Sequence, residues 1–384
     1  MTDRIAVPEI TPDDLIHTIE NDDDIQVLDV RPAHRLADGR IDLLPEDRFF
    51  NMVVSQVMAL QDPGEIGIDK NRPVAVVCAQ GRSSQHVTMF LNEKGYQARS
   101  VRGGMAAWMM SGYPRDMAAP PGLDRLTQFD RVGKGSLAYL LASDGQALVI
   151  DPARNTEPYR KLADEIGARI VGVADTHVHA DYISGGPALS AELGVPYYLH
   201  PSDNTHVYDG TPGKLDIAPV EDGSVIEIGR CAMDVFHTPG HTMGSVTYRI
   251  GDAVAFTGDF LFVRSIGRPD LGGEIDSWTG ILWNSIVRAK ATFPDGMAVY
   301  PAHYSSDSER REDRSVWATF GEIRSAGGPL AITSETEFAE WVKAHAASFP
   351  DAYRQIKVIN VGLMEVSPEE ADELEVGKNE CAVG

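Results

Sequence analysis

Cysteine, basic residues and long apolar runs are all scarce in this sequence of 384 residues. Its three cysteines lie far apart, and an odd, scattered set is unlike a disulfide framework. With 34 basic against 57 acidic residues, the net charge of -23 opposes binding to nucleic acid or to an anionic membrane surface. No run approaches the ~18 apolar residues needed to cross a bilayer. We therefore expect a small-molecule substrate.

The beginning of the sequence, Met1 to Pro8, lacks the charged-then-apolar layout of a secretory signal. Together with the scattered cysteines, this favours a reducing compartment. We predict a cytoplasmic protein without membrane attachment. The length exceeds the roughly 250 to 300 residues at which single hydrophobic cores stop growing, so we expect two domains.

Strand-like and helix-like segments alternate over the first third of the sequence. The strand patterns are Ile25–Val30, Val74–Val77 and Gln97–Val101, and the helix patterns are Ser83–Glu93 and a segment around Trp108. Such alternation predicts an α/β domain whose parallel sheet is covered by helices on both faces. We place this domain at residues 1–116 and a Pro- and Gly-containing linker at residues 117–122.

Antiparallel strand patterns separated by Gly-containing turns dominate the remainder, residues 123–384. The strand patterns are Leu137–Leu141, Ala147–Ile150, Val225–Ile228, Ala232–Phe236, Val246–Ile250 and Val254–Phe256. Helix patterns lie between the strand groups, at Leu162–Ile166, Ala188–Leu193 and Ser277–Ala291. This order predicts a sheet sandwich with helices on its outer faces. We interpret the acidic segment Glu369–Glu375 as a solvated face.

Cys78 follows an apolar strand pattern and begins a Gly-containing loop that leads into a helix. Backbone N–H groups at the helix start, the helix dipole and Arg82 would all favour the thiolate, which is the nucleophilic form. A buried cysteine at a strand end is usually inert. The glycine, the arginine and the two serines of this loop nevertheless favour the reactive interpretation.

Three landmarks occur along the first domain: Leu28–Arg31, the loop Cys78–Ser84, and Val101–Trp108. In this order the region resembles a single rhodanese domain. The resemblance implies that Cys78 carries sulfane sulfur as a persulfide, and we predict that Arg82 and Ser83 bind its substrate. One departure is that the family often has Arg or Thr where Ser83 stands, with the arginine displaced here to Arg82. The natural sulfur donor is therefore left open.

Imidazole and carboxylate side chains collect near the ends of strand patterns in the second domain. His177, His179 and Asp181 follow the pattern Ile170–Val173. Because residues two apart share a side in an extended chain, we expect these three to converge on one pocket. Three further candidates lie beside Gly or near Pro at other strand ends: His241, Asp259 and His303. Four histidines and two aspartates in such positions predict a metal site.

The motifs H-x-H-x-D, P-G-H-T, T-G-D and P-A-H follow one another across the second domain. In this order they resemble the metallo-β-lactamase superfamily, which implies an αββα sandwich. The superfamily can hold two adjacent metal ions, and a histidine that serves the second normally stands where this sequence has Tyr182. Protonated phenol is a weak ligand, with a reference pKa near ~10. We therefore predict one metal ion per chain.

Two imidazoles and one carboxylate with open positions are the ligand set of non-haem Fe(II) oxygenases. Within the superfamily this set marks the persulfide dioxygenases. The resemblance assigns His177, His241 and Asp259 as the iron ligands. It leaves four residues that orient ligands and bound water: His179, Asp181, Tyr182 and His303.

Two more segments carry the resemblance. The G-R-x-D element at Gly267–Asp270 makes Arg268 a candidate substrate-binding residue. The segment Asn379–Ala382 resembles the tail of persulfide dioxygenase and rhodanese fusion proteins, so we interpret Cys381 as part of that tail rather than as a catalytic thiol.

The resemblance as a whole implies an enzyme with one Fe²⁺ that oxidises a low-molecular-weight thiol persulfide with O2 to sulfite and thiol. The rhodanese domain would pass sulfur from Cys78 to sulfite, giving thiosulfate, or work in the reverse direction. Family members are often dimeric, so a homodimer is one expectation.

Two alternatives stay open at this point. A hydrolase resembling glyoxalase II would use the same fold, with Zn²⁺, on thioesters of the same thiols. Alternatively, the metal domain would be degenerate and Cys78 alone would act as a sulfur relay or sensor. Metal content separates the first alternative from the dioxygenase, and persulfide oxidation by a Cys78→Ala protein would exclude the second.

Overall fold

A computed structural model of the chain describes residues 6–21, 24–273, 275–345 and 350–383. The outer ends of the two predicted domains, residues 1–5 and 384, lie outside the described residues. The chain divides into two compact units. The first contains the chain up to Tyr113 together with Arg131–Lys134 and Val376–Lys378, and the second contains the rest. The domain boundaries at residues 116 and 123 and the linker at 117–122 stay predictions.

The first unit is built on a five-stranded sheet whose pairs are all parallel, in the order β1-β5-β4-β2-β3. Its strands are β1 (Glu9–Ile10), β2 (Gln26–Asp29), β3 (Phe49–Asn51), β4 (Pro73–Val77) and β5 (Gln97–Val101). Its helices are α1 (Pro12–Asn21), α2 (Val54–Val57), α3 (Ser83–Glu93) and α4 (Gly104–Met110).

Side chains of β4 alternate between two cores because successive residues of a strand face opposite sides of the sheet. Ala75 and Val77 pack in the core that contains residues of α1 and α4, such as Leu15 and Trp108. Val74 and Val76 pack in the other core, which contains residues of α2 and α3. Helices therefore cover both faces of the sheet, and the predicted α/β domain is confirmed.

The second unit contains two larger sheets and seven helices among the described residues. The strands are β6 (Tyr113–Met117), β7 (Arg125–Arg131), β8 (Ser136–Ser143), β9 (Gln146–Ile150), β10 (Arg169–Ala174), β11 (Tyr197–Leu199), β12 (Ala218–Pro219), β13 (Val225–Ile228), β14 (Cys231–His237), β15 (Val246–Ile250), β16 (Val254–Gly258), β17 (Ile266–Gly267), β18 (Ala298–Pro301), β19 (Ala318–Thr319) and β20 (Ala382–Val383). The helices are α5 (Glu157–Glu165), α6 (Gly186–Leu193), α7 (Ile275–Thr292), α8 (Phe320–Ser325), α9 (Glu335–His345), α10 (Ala352–Asn360) and α11 (Pro368–Leu374).

The two larger sheets run in the orders β12-β11-β10-β9-β8-β7-β6 and β13-β14-β15-β16-β18-β19, and β17 pairs with β20. A buried core between the sheets joins side chains such as Leu141 and Leu148 of the first to Tyr248 and Phe256 of the second. The outer face of the first sheet packs on α5 and α6, and that of the second packs on α7 and α9. This helix–sheet–sheet–helix arrangement confirms the predicted sandwich.

Two local predictions need correction or completion. The helix predicted at Leu162–Ile166 begins earlier, at Glu157, with a proline in its first turn. The acidic segment Glu369–Glu375 is not solvated throughout, because Glu375 is only 2% exposed and pairs with Arg154 at 3.1 Å. Among the helices of the described residues, none has the length and apolar character that crossing a lipid bilayer requires.

Candidate metal centre

All six residues that the sequence proposes for the metal site lie in loops close to strand ends of the second unit. Three of them are in the loop after β10, and the others follow β14, β16 and β18. Every one is buried: His177, His179, Asp181, His241, Asp259 and His303. The sandwich thus gathers distant parts of the sequence at one edge of its sheets.

His177, His241 and Asp259 direct one atom each towards a common point. Asp259 Oδ2 lies 3.6 Å from His177 Nε2 and 3.4 Å from His241 Nε2. Donor atoms bound about 2.1 Å from one ion, at angles of about 90° to 110°, lie ~3.0 to ~3.5 Å apart. None of the three atoms has a well-formed hydrogen bond to a described residue, although each is buried. Because buried polar atoms are normally paired, these residues fit a metal ion.

Hydrogen bonds on the far side of each imidazole hold the ring so that Nε2 is presented to the centre. His241 Nδ1 donates to the carbonyl oxygen of Arg268 at 2.9 Å. His177 Nδ1 lies 3.0 Å from the hydroxyl of Thr176, which in turn donates to the Asp151 carboxylate at 2.9 Å. Such partners fix the tautomer in which Nε2 carries a lone pair for the metal.

Burial and charge at this site favour a neutral His241 and an ionised Asp259. Burial lowers the pKa of His241 to about 3, although the neighbouring Asp259 acts in the opposite direction. Burial alone would raise the pKa of Asp259, but His303 and His177 hold it well below the ordinary value. Neutral histidine and ionised aspartate are the protonation states that bind metal ions.

His303 is held between two carboxylates. Its Nδ1 donates to Asp259 Oδ1 at 2.6 Å, which leaves Oδ2 for the metal centre, and its Nε2 lies 3.0 Å from Asp181 Oδ2. Burial would lower the pKa of His303, but Asp181 and Asp259 raise it to about 10. His303 is therefore a cation that positions Asp259. Cys381 lies with Asp181 and His303 in a second group of possible ligands.

The H-x-H-x-D segment departs from the extended conformation assumed for it. Residues 175–181 form a loop without strand pairing, and its three candidate side chains enter three different groups. His177 joins the proposed metal ligands, whereas Asp181 joins His303 and Cys381. His179 joins two carboxylates and lies 3.2 Å from Asp151 Oδ1. A bent loop separates the side chains that alternation in a strand would have placed together.

Tyr182, which stands where the superfamily has a metal-binding histidine, is buried and directed at His179. Its hydroxyl oxygen lies 2.9 Å from His179 Nε2 and 3.2 Å from the carbonyl oxygen of Asp151. Burial and the charge of Asp151 raise its pKa well above the ordinary value. The phenol is therefore protonated, and its hydroxyl contacts His179 Nε2.

Arg268 contributes its backbone to the site, while its side chain is engaged elsewhere. The guanidinium forms two hydrogen bonds of 2.6 Å to the carboxylate of Asp270 and a third, of 3.3 Å, to the carbonyl oxygen of Glu380. Its carbonyl oxygen holds His241, as described above. The predicted role of Arg268 in binding substrate stays a prediction, and the geometry adds a positioning role.

Cys78, in the first unit, lies in a loop rich in hydrogen-bond donors. Its sulfur lies 3.3 Å from the hydroxyl of Ser84, which is 2.8 Å from the hydroxyl of Ser100. Burial raises the pKa of the thiol, but hydrogen bonds from Ser83, Ser84 and the backbone outweigh it and lower the pKa to about 7. Arg82 is exposed and is not among the main causes of this lowered pKa.

Three residues near the metal centre were missed at the level of sequence. Asp151 directly follows β9, and a carboxylate at a strand end is the signal that would have found it. Cys381 was assigned to the tail but lies beside Asp181 and His303. Lys357 falls on the buried face of α10 with Tyr353 and Asn360, at spacings that a helical pattern could have shown.

Comparisons with known proteins match both units. Residues 11–111 match the model of the rhodanese-like domain, and residues 131–315 match that of the metallo-β-lactamase superfamily. The chain is 33% identical to "Persulfide dioxygenase ETHE1, mitochondrial" of Homo sapiens over 44% of its own length and 63% of that protein. The chain therefore spans less than two thirds of this relative.

The chain is also 35% identical to a hydroxyacylglutathione hydrolase of Maricaulis maris, over 45% of the chain's own length and 68% of that protein.

Among solved structures, ETHE1 from Myxococcus xanthus has a TM-score of 0.53 and 25% sequence identity, covering 62% of this chain and 99% of that chain. The chain therefore belongs to the family of proteins in which a rhodanese-like domain is joined to a metallo-β-lactamase domain.

Proposed function

We propose that this protein oxidises a low-molecular-weight thiol persulfide with dioxygen, using one iron ion held by His177, His241 and Asp259. The observation that carries the proposal is the set of three buried donor atoms directed at one point without well-formed hydrogen bonds. Similarity to human persulfide dioxygenase, at 33% identity, supports the choice of reaction. Two imidazoles and one carboxylate are the ligand set of non-haem Fe(II) oxygenases, which supports the choice of iron.

The overall reaction balances with one water molecule. A persulfide anion, dioxygen and water give a thiol, sulfite and one proton, so the terminal sulfur is oxidised and dioxygen is reduced. Iron bound at this site supplies open coordination positions and the electron-transfer chemistry that dioxygen requires to react with sulfur. The chain supplies a neutral His241, an ionised Asp259 and a buried setting from which bulk water is excluded.

Six neighbouring residues are assigned positioning roles. His303 holds Asp259 through a hydrogen bond from its Nδ1. Thr176 orients His177, and the Thr176 hydroxyl is itself held by a hydrogen bond to Asp151. His179 and Tyr182 complete a hydrogen-bonded group around Asp151. We assign Asp181 to orienting His303, which it approaches at 3.0 Å.

The first unit is proposed to transfer sulfane sulfur through Cys78. In one direction, the persulfide on Cys78 reacts with sulfite, the bond between the two sulfurs of the persulfide breaks, and thiosulfate and the Cys78 thiolate form. The same reaction in reverse loads Cys78 from thiosulfate. A thiol pKa of about 7 supports this proposal, since it leaves a large thiolate fraction near neutral pH. We propose that Ser83 and Arg82 contact the sulfur substrate at the mouth of the loop.

A thioester hydrolase is the second candidate, because a hydroxyacylglutathione hydrolase is 35% identical to the chain. That reaction would use Zn²⁺ to activate water at the same ligands. Tyr182 counts against it, since it removes the imidazole that the superfamily uses for a second metal ion. The cytoplasmic location, the homodimer and the thiosulfate partner also stay predictions.

One experiment separates these candidates. The protein is expressed without added metal, its bound metals are quantified, and oxygen uptake is measured with glutathione persulfide and with persulfides of smaller thiols. We expect close to one iron per chain, oxygen consumption and equivalent sulfite. Asp259→Ala is the control and is expected to lose both the iron and the oxygen uptake.

Fully iron-loaded protein that consumes no oxygen with any of these persulfides would contradict the proposal. Bound zinc together with hydrolysis of S-lactoylglutathione would establish the hydrolase instead.

A further inference from the structure

A cavity of about 210 Å³ lies beside the loops that carry two of the proposed metal ligands. Its lining includes Val178, which follows His177 in the chain, and Thr242, which follows His241. The ligand-bearing loops therefore form one wall of the cavity. Pockets that enclose drug-sized ligands typically measure ~300 to ~1,000 Å³. A cavity of this size fits a short organic group rather than a whole tripeptide.

Lys357 also lines this cavity, and it is 4% exposed. Its ammonium group donates one hydrogen bond, of 2.8 Å, to the carbonyl oxygen of Leu271 and lies 5.7 Å from the centre of the Tyr208 ring. It forms no ion pair with any residue in the described part of the chain. Buried charges in proteins are normally paired. The cavity therefore contains a buried cation that lacks a bonded anion.

Two carboxylates act electrostatically on Lys357, and both are engaged with other groups, although Asp203 also lines the cavity. Asp203 accepts hydrogen bonds of 2.7 to 2.8 Å from the backbone of Val178 and Gly244 and from the hydroxyl of Thr242. Asp270 is bonded to the guanidinium of Arg268. The negative charges of these aspartates raise the pKa of Lys357. Burial has the larger effect and lowers the pKa of the ammonium to about 8.

Apolar side chains line part of the cavity, beside polar residues such as Thr205 and His206. Trp278, Met243 and Val207 are among the lining residues. An occupant that suits all of these walls has a short hydrocarbon part and one anionic end. The loops that carry His177 and His241 form the adjoining wall, so we place the other end of the occupant towards the metal centre.

We propose that this cavity binds the organic part of the persulfide substrate and that Lys357 pairs with a carboxylate on it. The proposal rests on the function proposed above and deepens it, because it names the substrate class as persulfides of short acidic thiols. Lys357 becomes the residue that determines this specificity, through a charge-assisted hydrogen bond in a buried site.

The first test needs no variant and no reaction. Binding of 3-mercaptopropionate to the metal-loaded protein is compared by calorimetry, under exclusion of oxygen, with binding of 3-mercaptopropionamide. The two ligands have nearly the same size and the same thiol, but the amide carries no charge. We expect the acid to bind roughly 10- to 100-fold more tightly. Equal binding of acid and amide would overturn the proposal.

The second test uses Lys357→Gln, with Lys290→Gln as the matched control. Lys290 also donates one hydrogen bond to a backbone carbonyl, that of Ile332, but it is not among the residues that line the cavity. We expect Lys357→Gln to remove the preference for the acid and Lys290→Gln to retain it. Preference retained in a folded Lys357→Gln protein would contradict the proposal, with folding checked by circular dichroism.

Oxygen uptake with the persulfides of the same two ligands separates this proposal from the proposed function. If neither persulfide is oxidised but the acid still binds preferentially, the dioxygenase function fails and the binding site stands. If both are oxidised with equal KM, the dioxygenase function stands and the role of Lys357 fails. We expect Lys357→Gln to raise KM for the acid with little change in kcat.

Discussion

Hydrogen bonds from hydroxyl and amide groups lower the pKa of the Cys78 thiol by more than burial raises it. The titration of this thiol can therefore be measured near neutral pH. The thiol pKa is lowered to about 7, so thiolate should disappear as pH falls through that value. We expect Ser84→Ala to raise the pKa, because it removes a hydroxyl 3.3 Å from the sulfur. The measurement is thiolate absorbance and the rate of alkylation against pH. Cys78→Ala defines the background, and an unchanged titration in Ser84→Ala would contradict this account.

Asp151 offers a second prediction at the residue scale. Its φ of 52° lies in the left-handed region, which asparagine also tolerates, so Asp151→Asn keeps the backbone while removing the charge. The hydrogen-bonded path from Asp151 through Thr176 to His177 should weaken. We expect a roughly 10- to 100-fold loss of metal affinity, measured by competition with a chelator.

The matched control for Asp151→Asn is Asp144→Asn. Asp144 has a similar φ of 49° but is exposed in the turn between β8 and β9. It should leave metal affinity unchanged. If Asp151→Asn binds metal as tightly as Asp144→Asn does, the hydrogen-bonded path through Thr176 does not position His177.

The sequence identified the proposed ligands because metal chemistry restricts the residue types and the motifs place them at strand ends. It did not identify Asp151 or Lys357, because their roles depend on which other chain segments pack against them. Lys357 is an ordinary lysine in the sequence, and only the packing of α10 makes it a buried cation. The sequence indicates that Arg268 belongs to the site, but it is the carbonyl oxygen of Arg268, not its side chain, that accepts a hydrogen bond from His241.

At the scale of elements, the short pair β17 and β20 supports the centre from outside the two main sheets. A Cβ atom added at Gly267 would lie 1.8 Å from the carbonyl oxygen of Asp259 and 2.8 Å from His241 Nδ1. We expect Gly267→Ala to displace both ligands and to reduce bound metal to a small fraction. The measurement is metal content after gel filtration.

Gly296→Ala is the control for this element. Gly296 is exposed in the turn before β18, and no heavy atom lies within 4 Å of an added Cβ. It should bind metal as the unchanged protein does. Full metal content in Gly267→Ala would mean that the backbone around β17 shifts without disturbing the ligands.

Regular elements were predictable wherever one period persisted over several residues. The helix at Ser83–Glu93 and the strand at Gln97–Val101 have the predicted bounds. The loop 175–181 was not predictable in this way, because alternating polar residues fit a strand equally well. Its bend is fixed by contacts with distant residues, such as the hydrogen bond from Val178 to Asp203.

At the scale of the whole molecule, two compact units each carry their own reactive group. The proposed metal ligands all lie in the second unit, and Cys78 lies in the first. Metal binding stabilises only the unit that binds it, because a ligand lowers the free energy of the folded form that holds it. The two units should therefore respond differently to metal removal.

Calorimetry of the full chain tests this expectation. At free iron about 100 times its dissociation constant, binding contributes ~2.7 kcal/mol, which moves the melting temperature of a unit of this size by roughly 5 to 10 °C. We expect a chelator to lower one of two transitions by that amount and to leave the other in place. In His241→Ala the chelator should move neither transition, whereas Cys78→Ala should behave as the unchanged protein does. A chelator that shifts both transitions together would show that the units unfold as one.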